Sequence, residues 1–187
     1  GTEIKGAELE LEAAVTDNFT AGFTYSLTEA KFTELSDGEA LQLFGNSSLK
    51  GKKLFGVPEQ QASAYGKVKF PVGTGKRGFV RGDISFTDRK YDQIFDLAHT
   101  GEQVLMNMSA GVENDRWNVT FFVNNLTDDR TPSSVTRYVD QLNLNVPQHV
   151  NANPAQNNVP GTTTLERAFG YPLANKRQFG VNMKWKF

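Results

Sequence analysis

The stretch RQFGVNMKWKF, residues 177–187, alternates apolar and polar side chains at single-residue spacing. Because successive side chains of a β-strand point to opposite faces of a sheet, every second residue lies on the same face. The apolar set is Phe179, Val181, Met183, Trp185 and Phe187. The stretch therefore predicts a strand with one wholly apolar face that ends on an aromatic residue.

The same period of two recurs in six earlier segments, and no segment has a convincing helical period. The six segments are 7–15, 19–28, 61–70, 79–87, 104–112 and 117–124. Seven alternating segments predict an all-β, antiparallel fold. Alternation alone leaves two solutions open, since a soluble sandwich turns its apolar face inward and a membrane barrel turns it towards lipid.

The lengths of the connections favour the membrane barrel. The connections at 16–18, 71–78 and 114–116 are tight, whereas those at 29–60, 88–102 and 127–176 are long. Short and long connections alternate, so all long loops fall at one end of an antiparallel sheet. Short turns on one side and long loops on the other are typical of outer-membrane barrels.

Strand length and aromatic placement agree with a membrane-spanning sheet. Runs of about nine to eleven residues match a tilted strand that crosses a bilayer. Aromatic residues lie near strand ends, where a membrane-interface girdle would place them. They are Phe19, Phe70, Trp117, Trp185 and Phe187. The alternative is that these side chains form the core of a soluble sandwich.

Composition excludes several classes of protein. The 187 residues carry a net charge of -1, which gives no electrostatic basis for binding nucleic acid. The chain has no cysteine, so disulfides and thiolate metal sites are excluded. No run reaches the ~20 apolar residues of a membrane-spanning helix, and no signal peptide is visible at residue 1, so we expect any export signal to lie upstream.

No motif supports catalysis or cofactor binding. GTGKRG at 73–78 has the glycine spacing of a dinucleotide loop, but the residues that follow read as a strand, not a helix. Asp92, Asp96 and His99 lack a recognised metal-ligand spacing. No nucleophile with a base and no carboxylate pair is evident. We therefore predict no catalytic, cofactor-binding or metal-binding residues and no enzyme activity.

Four segments make a family resemblance specific. They are IKGAELELEAAVTDNFTAGFTYSLTEAKF at 4–32, GKKLFGVPEQQASAYGKVKF at 51–70, WNVTFFVNNLTDDR at 117–130 and GYPLANKRQFGVNMKWKF at 170–187. In this order and spacing the chain resembles the C-terminal part of the β-barrel of TonB-dependent outer-membrane receptors. The motif VNNLTDDRTP at 123–132 is the most specific, and its plain alternative is a strand end with turn-forming residues.

The resemblance implies a role in nutrient uptake at the bacterial outer membrane. It makes residues 1–187 about seven strands of a barrel of about 22 strands, whose plug domain and earlier strands are not in this sequence. The implied partners are outer-membrane lipid, the remaining strands and plug, TonB through that plug, and the outer-membrane assembly machinery. The closing strand, Phe179 to Phe187, would be the signal that this machinery recognises. Alone, the chain is expected to need detergent or to aggregate.

The extracellular side is expected to carry the ligand contacts. It comprises the loops 34–58, 88–101 and 127–176. By chemistry and location, the candidate contacts are Arg89, Tyr91, Asp92, Arg137 and Tyr138. The alternative for each is a role in loop packing. An iron chelate, a vitamin or a carbohydrate all suit the family resemblance, and a soluble β-sandwich binding module without a transport role is the alternative function.

Overall fold

A computed structural model describes residues 1–139 and 167–186, and it consists almost entirely of antiparallel strands. The strands are β1 Thr2–Thr16, β2 Phe19–Phe32, β3 Gln60–Pro71, β4 Arg77–Thr87, β5 Gln103–Glu113, β6 Trp117–Asn124, β7 Thr136–Val139, β8 Arg167–Gly170 and β9 Gln178–Trp185. The all-β prediction is confirmed, and each of the seven alternating segments is a strand.

Those seven strands form one sheet in the order β1-β2-β3-β4-β5-β6-β9. Every neighbouring pair is antiparallel, so the chain runs up and down through the sheet. The excursion between β6 and β9 contains the separate two-stranded hairpin β7-β8. This meander is the topology expected of a barrel wall.

The register aligns most apolar residues of the seven strands on one face, which we call the apolar face. Leu9, Tyr25, Ala62, Phe86 and Val104 are successive cross-strand partners from β1 to β5. The pairs Val119–Met183 and Phe121–Val181 continue the same face across β6 and β9. The opposite, polar face carries the intervening residues, because side chains alternate along each strand.

The apolar face is not covered by a second layer within the described residues. Leu11 is 57% exposed, Phe121 50% and Met183 74%. A soluble sandwich would bury these side chains against a facing sheet. A surface with so many large exposed hydrophobic residues needs an apolar partner.

The short connections all lie at one end of the sheet and the long connections at the other. Phe19, Phe70, Trp117 and Trp185 lie on the apolar face at the short-turn end, as their register positions show. An aromatic row at one edge of an apolar band is the arrangement of a membrane-interface girdle.

A short helix, α1 Gly38–Phe44, lies in the loop between β2 and β3 and was not expected from the sequence. The Asp37 carboxylate accepts hydrogen bonds from the amides of Glu39 at 2.7 Å and Ala40 at 3.3 Å. Gly45 ends the helix with a φ of 71°, a left-handed conformation that glycine adopts without strain. Two turns are too short for a helical period to stand out in the sequence.

A cluster of buried apolar residues lies in the long loops and not under the sheet. Ala40 and Leu49 of the β2–β3 loop and Phe95 of the β4–β5 loop pack together, with Leu35 and Ile94 at the margin. We call these five residues the loop cluster. The amide of Gly56 donates to the carbonyl of Tyr91 at 2.8 Å, so the two long loops are also joined through the backbone.

Candidate functional site

The polar face changes in character along the strands. Towards the short turns it is charged, with Lys67, Lys69, Arg77, Arg81, Asp83, Glu113 and Lys184. Towards the long loops, β2 to β5 carry mostly uncharged hydroxyl and amide side chains. This half of the polar face is the one continuous with the long loops.

A groove of 420 Å³ crosses four strands in the uncharged half. Its lining residues form three parallel rows that run across the strands. The two outer rows consist of polar-face residues, and the middle row consists of Leu9, Tyr25, Ala62 and Phe86. Side chains of that middle row point to the apolar face, so its backbone forms the floor of the groove. We call this feature the polar-face groove.

Below the groove, a set of polar contacts fixes the lumen-side surface. Tyr65 donates its hydroxyl to Glu12 at 2.6 Å, and the Arg81 guanidinium lies 4.2 Å from the centre of the Tyr65 ring. Asn107 donates to Asp83 at 2.7 Å. These contacts link β1, β3, β4 and β5, so the wall presents a defined set of groups and not a loose polar surface.

Aromatic rings lie across glycines on the polar face. Tyr65 covers Gly22, Phe79 covers Gly111, and Phe122 covers Gly180, each pair being direct cross-strand partners. A Cβ at any of the three glycines would come within 3.0 Å of a ring atom. Each glycine therefore lets a ring lie flat along the wall, an arrangement that pins strand register.

A second cavity, of 310 Å³, lies beside the extracellular ends of β5, β6 and β9. Its wall is again rich in amides, and it includes Asn107, Asn124, Asn175 and Gln178 with the cation Lys176. Leu173, which is 99% exposed, also borders it. The cavity and the polar-face groove are both rich in amide or hydroxyl groups, but the cavity also carries the charged residues Lys176 and Asp129.

The motif NLTDDR, residues 125–130, builds a clamp beside this cavity. Asn125 is only 6% exposed and has a φ of 53°. Its backbone amide donates to the side-chain oxygen of Asn107 at 2.9 Å, and its Nδ2 donates to the carbonyls of Asp129 and Asn175, both at 2.9 Å. One buried side chain therefore ties β5, the end of β6 and the segment before β9.

Two carboxylates complete the clamp. Asp129 accepts from the amides of Thr131 at 2.7 Å and Val104 at 2.8 Å. Burial acts to raise the pKa of Asp129, but these hydrogen bonds outweigh it and hold the pKa below its usual value. Asp128 accepts from the Arg177 amide at 2.8 Å, and this bond, with Arg130, lowers its pKa. The plain interpretation of the motif as a turn misses this role in joining strands.

Arg89 and Tyr91 lie together at the extracellular rim, in a cavity of 290 Å³. That cavity is bordered by Gln60 and Phe86, which lie at apolar-face positions. The adjacent polar-face residues Gln61 and Thr87 do not border it. Arg89 pairs with Glu102 at 3.1 Å. The structure thus brings these two candidates together on the outer side of the rim, away from the polar-face groove.

Tyr91 is also engaged in loop packing. Its ring meets the His99 ring edge-on at 5.6 Å and lies 5.2 Å from the Lys53 ammonium group. Asp92 is half-buried, and its amide donates to the carbonyl of Ala98 at 3.2 Å. Lys53 itself pairs with Glu59 at 2.7 Å, which raises the pKa of the lysine.

Arg137 and Tyr138 lie in β7, where their backbones pair with Phe169 and Ala168 of β8. Their side chains are outside the described residues, as is most of the loop between them and β9. The assembly candidates Phe179, Val181, Met183 and Trp185 all lie on the apolar face of β9 and are 62% to 74% exposed. Phe187 lies outside the described residues.

Residues 1–139 and 167–186 contain no group of three or more histidine, cysteine, aspartate or glutamate side chains placed to hold a metal ion. No helix in those ranges is long and apolar enough to cross a membrane.

The uncovered apolar face, the polar face with its groove, and the long loops at one end define a section of the wall of a transmembrane β-barrel. Residues 1–126 match the family model described as TonB dependent receptor-like, beta-barrel. The chain belongs to this family, and it is therefore part of a bacterial outer-membrane protein. A comparison with curated proteins finds no match.

Solved structures with the same fold include two iron-chelate receptors. The ferric yersiniabactin uptake receptor FyuA from Yersinia pestis superimposes with a TM-score of 0.70 at 15% identity, over 100% of this chain and 24% of that one. BauA, the ferric preacinetobactin receptor from Acinetobacter baumannii, gives 0.64 at 14% identity, over 97% and 22%. The chain spans about a quarter of these structures, and at such identity the likeness concerns the fold.

Proposed function

We propose that this chain supplies the final strands and three extracellular loops of an outer-membrane receptor that imports a scarce nutrient with energy from the TonB system. The observation that carries the proposal is the two-faced sheet: an exposed apolar face suited to lipid and a polar face with a groove near the loops. Such a wall separates a membrane from a lumen, which a receptor for import requires.

The proposal assigns partners to the surfaces. Outer-membrane lipid covers the apolar face, and the remaining strands complete the barrel around a plug domain through which TonB acts. Residues 1–187 form part of the barrel domain. The proposed role is binding and passage of a solute, without enzyme activity.

Solute depletion tests the import function. Culture medium is analysed by mass spectrometry after growth of the wild type, a strain lacking the full-length receptor gene, and a strain lacking TonB. We expect at least one solute that only the wild type depletes. If the receptor deletion leaves every TonB-dependent solute unchanged, the import function is wrong.

The closing strand is proposed as the assembly signal of the receptor. Removal of Phe187, or replacement of Trp185 by serine, should reduce the amount of folded receptor in the outer membrane, whereas Lys184→Ser on the polar face should not. Folded receptor is measured by its changed gel mobility without heating. Equal amounts of folded receptor in all variants would contradict this role.

A further inference from the structure

The polar-face groove is lined by groups that both donate and accept hydrogen bonds. Its two walls are formed by short side chains from β2, β3 and β4. They are Ser26, Gln61 and Thr87 on one side and Thr24, Ser63 and Ser85 on the other. The Thr24 and Ser63 hydroxyls are hydrogen-bonded to each other at 2.7 Å, which leaves the pair one O–H donor and free acceptor lone pairs for a ligand. Hydroxyls and amides of this kind match the hydroxyl groups of a solute in either direction.

The charged residues that line the groove restrict the charge of a ligand that could bind there. Its charged lining residues within the described chain are Glu8 and Glu10, both acidic, and no lysine or arginine borders it. A carboxylate only accepts hydrogen bonds and repels an anion. Lysine and arginine are abundant on the same face nearer the short turns, as Lys67, Lys69 and Arg81. Their absence from the groove therefore disfavours a polyanionic ligand there.

The dimensions suit an extended ligand. Strands about 4.8 Å apart make a four-strand groove about 14 Å long, and walls two residues apart are separated by about 7 Å. The 420 Å³ volume lies within the range of small-molecule sites, about 300–1,000 Å³. The neighbouring cavity adds further amide groups towards β9, together with one cation, Lys176, and one carboxylate, Asp129.

From these observations we propose that the polar-face groove binds an uncharged polyhydroxylated solute, such as a short neutral oligosaccharide, on its way into the lumen. The inference rests on the proposed import function and names the class of solute. Hydroxyl and amide side chains would hold the sugar hydroxyls, while Glu8 and Glu10 accept further hydrogen bonds and exclude anionic chelates.

The test compares two classes of probe on the full-length receptor in detergent micelles. An array of neutral oligosaccharides of two to four hexose units is one class, and ferric citrate, an anionic chelate, is the other. We expect binding of at least one oligosaccharide and none of ferric citrate. Binding of ferric citrate, or of no member of the array, would overturn the proposal, yet TonB-dependent import could still hold.

A matched pair of variants locates the binding. Thr24→Val removes a hydroxyl from the groove wall at nearly constant shape, and Thr20→Val does the same on the same face of β2 outside the groove. Loss of one hydrogen bond predicts an affinity for the bound oligosaccharide reduced about two- to tenfold in Thr24→Val and unchanged in Thr20→Val. Unchanged affinity in both folded variants, as when the plug fills the groove, would overturn the assignment.

Discussion

The Asn125 side chain donates a hydrogen bond from Nδ2 to the carbonyl oxygen of Asn175, 50 residues further along the chain, at 2.9 Å. This contact joins the end of β6 to the segment that enters β9. Because the two strands are separated by the longest excursion of the chain, their extracellular ends have no short turn to hold them together. The clamp performs that task beside the amide-rich cavity.

Replacement of Asn125 should loosen this clamp. In Asn125→Ala the carbonyls of Asp129 and Asn175 lose their donor and the positive φ becomes strained, for a combined cost of about 2–4 kcal/mol. In Asn125→Gly the positive φ is not strained, so this variant measures the loss of the side-chain hydrogen bonds alone. Hydrogen exchange at the Arg177 amide, which Asp128 holds, is the readout. Protection equal to wild type in both variants would show that the clamp does not order this end.

Gly111 is expected to contribute to the stability of the folded barrel because no larger residue fits at its position. A Cβ there would lie 2.4 Å from the Val119 carbonyl oxygen and 2.9 Å from the Phe79 ring. Because the first contact is with backbone, Gly111→Ala should destabilise the folded barrel by about 1–3 kcal/mol. Gly82→Ala, on the adjacent strand with no atom within 4 Å of the added carbon, is the control. Urea titration that gives equal midpoints for the two variants would contradict the close packing.

Asp96 makes the loop cluster sensitive to pH. Burial raises its pKa above the usual 3.8, against the lowering effects of the Lys53 amide and the charges of Lys52 and Lys53. The folded loops therefore bind a proton more tightly than unfolded loops do. The contribution of Asp96 to loop stability is therefore most favourable below pH 3.8 and is lost as the pH rises through the raised pKa.

Asp96→Asn should consequently stabilise the loops at neutral pH and give no gain below pH 3.8. Asparagine also tolerates the φ of 56° at this position. The measurement is hydrogen exchange at the Gly56 amide, corrected for intrinsic rates, with Asp17→Asn in a short turn as the charge-matched control. A gain that persists unchanged at low pH would refute an electrostatic origin.

Neighbouring positions of β9 should differ strongly in their tolerance of a charged side chain. Val181 lies on the apolar face and is 62% exposed, whereas Asn182 lies on the polar face. In vesicles, Val181→Arg should destabilise the folded receptor by up to about 2–4 kcal/mol, the cost of an arginine near the bilayer midplane, and Asn182→Arg by much less. Urea-induced unfolding measures both, and similar losses would argue against lipid on the apolar face.

The sequence predicts the sheet well because a period of two is a local property. Each strand carries its own apolar row, as Phe179 to Trp185 show, and the connection lengths place the long loops at one end. The position of α1 and the packing of Phe95 on Leu49 are not predictable in this way, since they depend on contacts between two loops distant in sequence.

The polar-face groove was also missed from the sequence. Ser63 and Ser85 are ordinary polar positions in the sequence, and only the register makes them direct cross-strand partners on one wall of the groove. The available signal was the lack of charge at alternate positions of 24–28, 61–63 and 85–87. The sequence identifies Arg89 and Tyr91 as candidate ligand contacts only from the type of side chain and their position in a loop. In the structure Arg89 pairs with Glu102 and Tyr91 packs against His99 at the rim.

The two-faced wall is tested most directly by spin labels scanned through β4 in the full-length receptor in bilayers. The chain has no cysteine, so each substituted cysteine from 80 to 85 is unique within it. We predict maximal collision with oxygen, which concentrates in lipid, at 80, 82 and 84, and maximal collision with a water-soluble nickel chelate at 81, 83 and 85. Loss of the two-residue period, or the opposite phase, would contradict the assignment of the apolar face to the membrane.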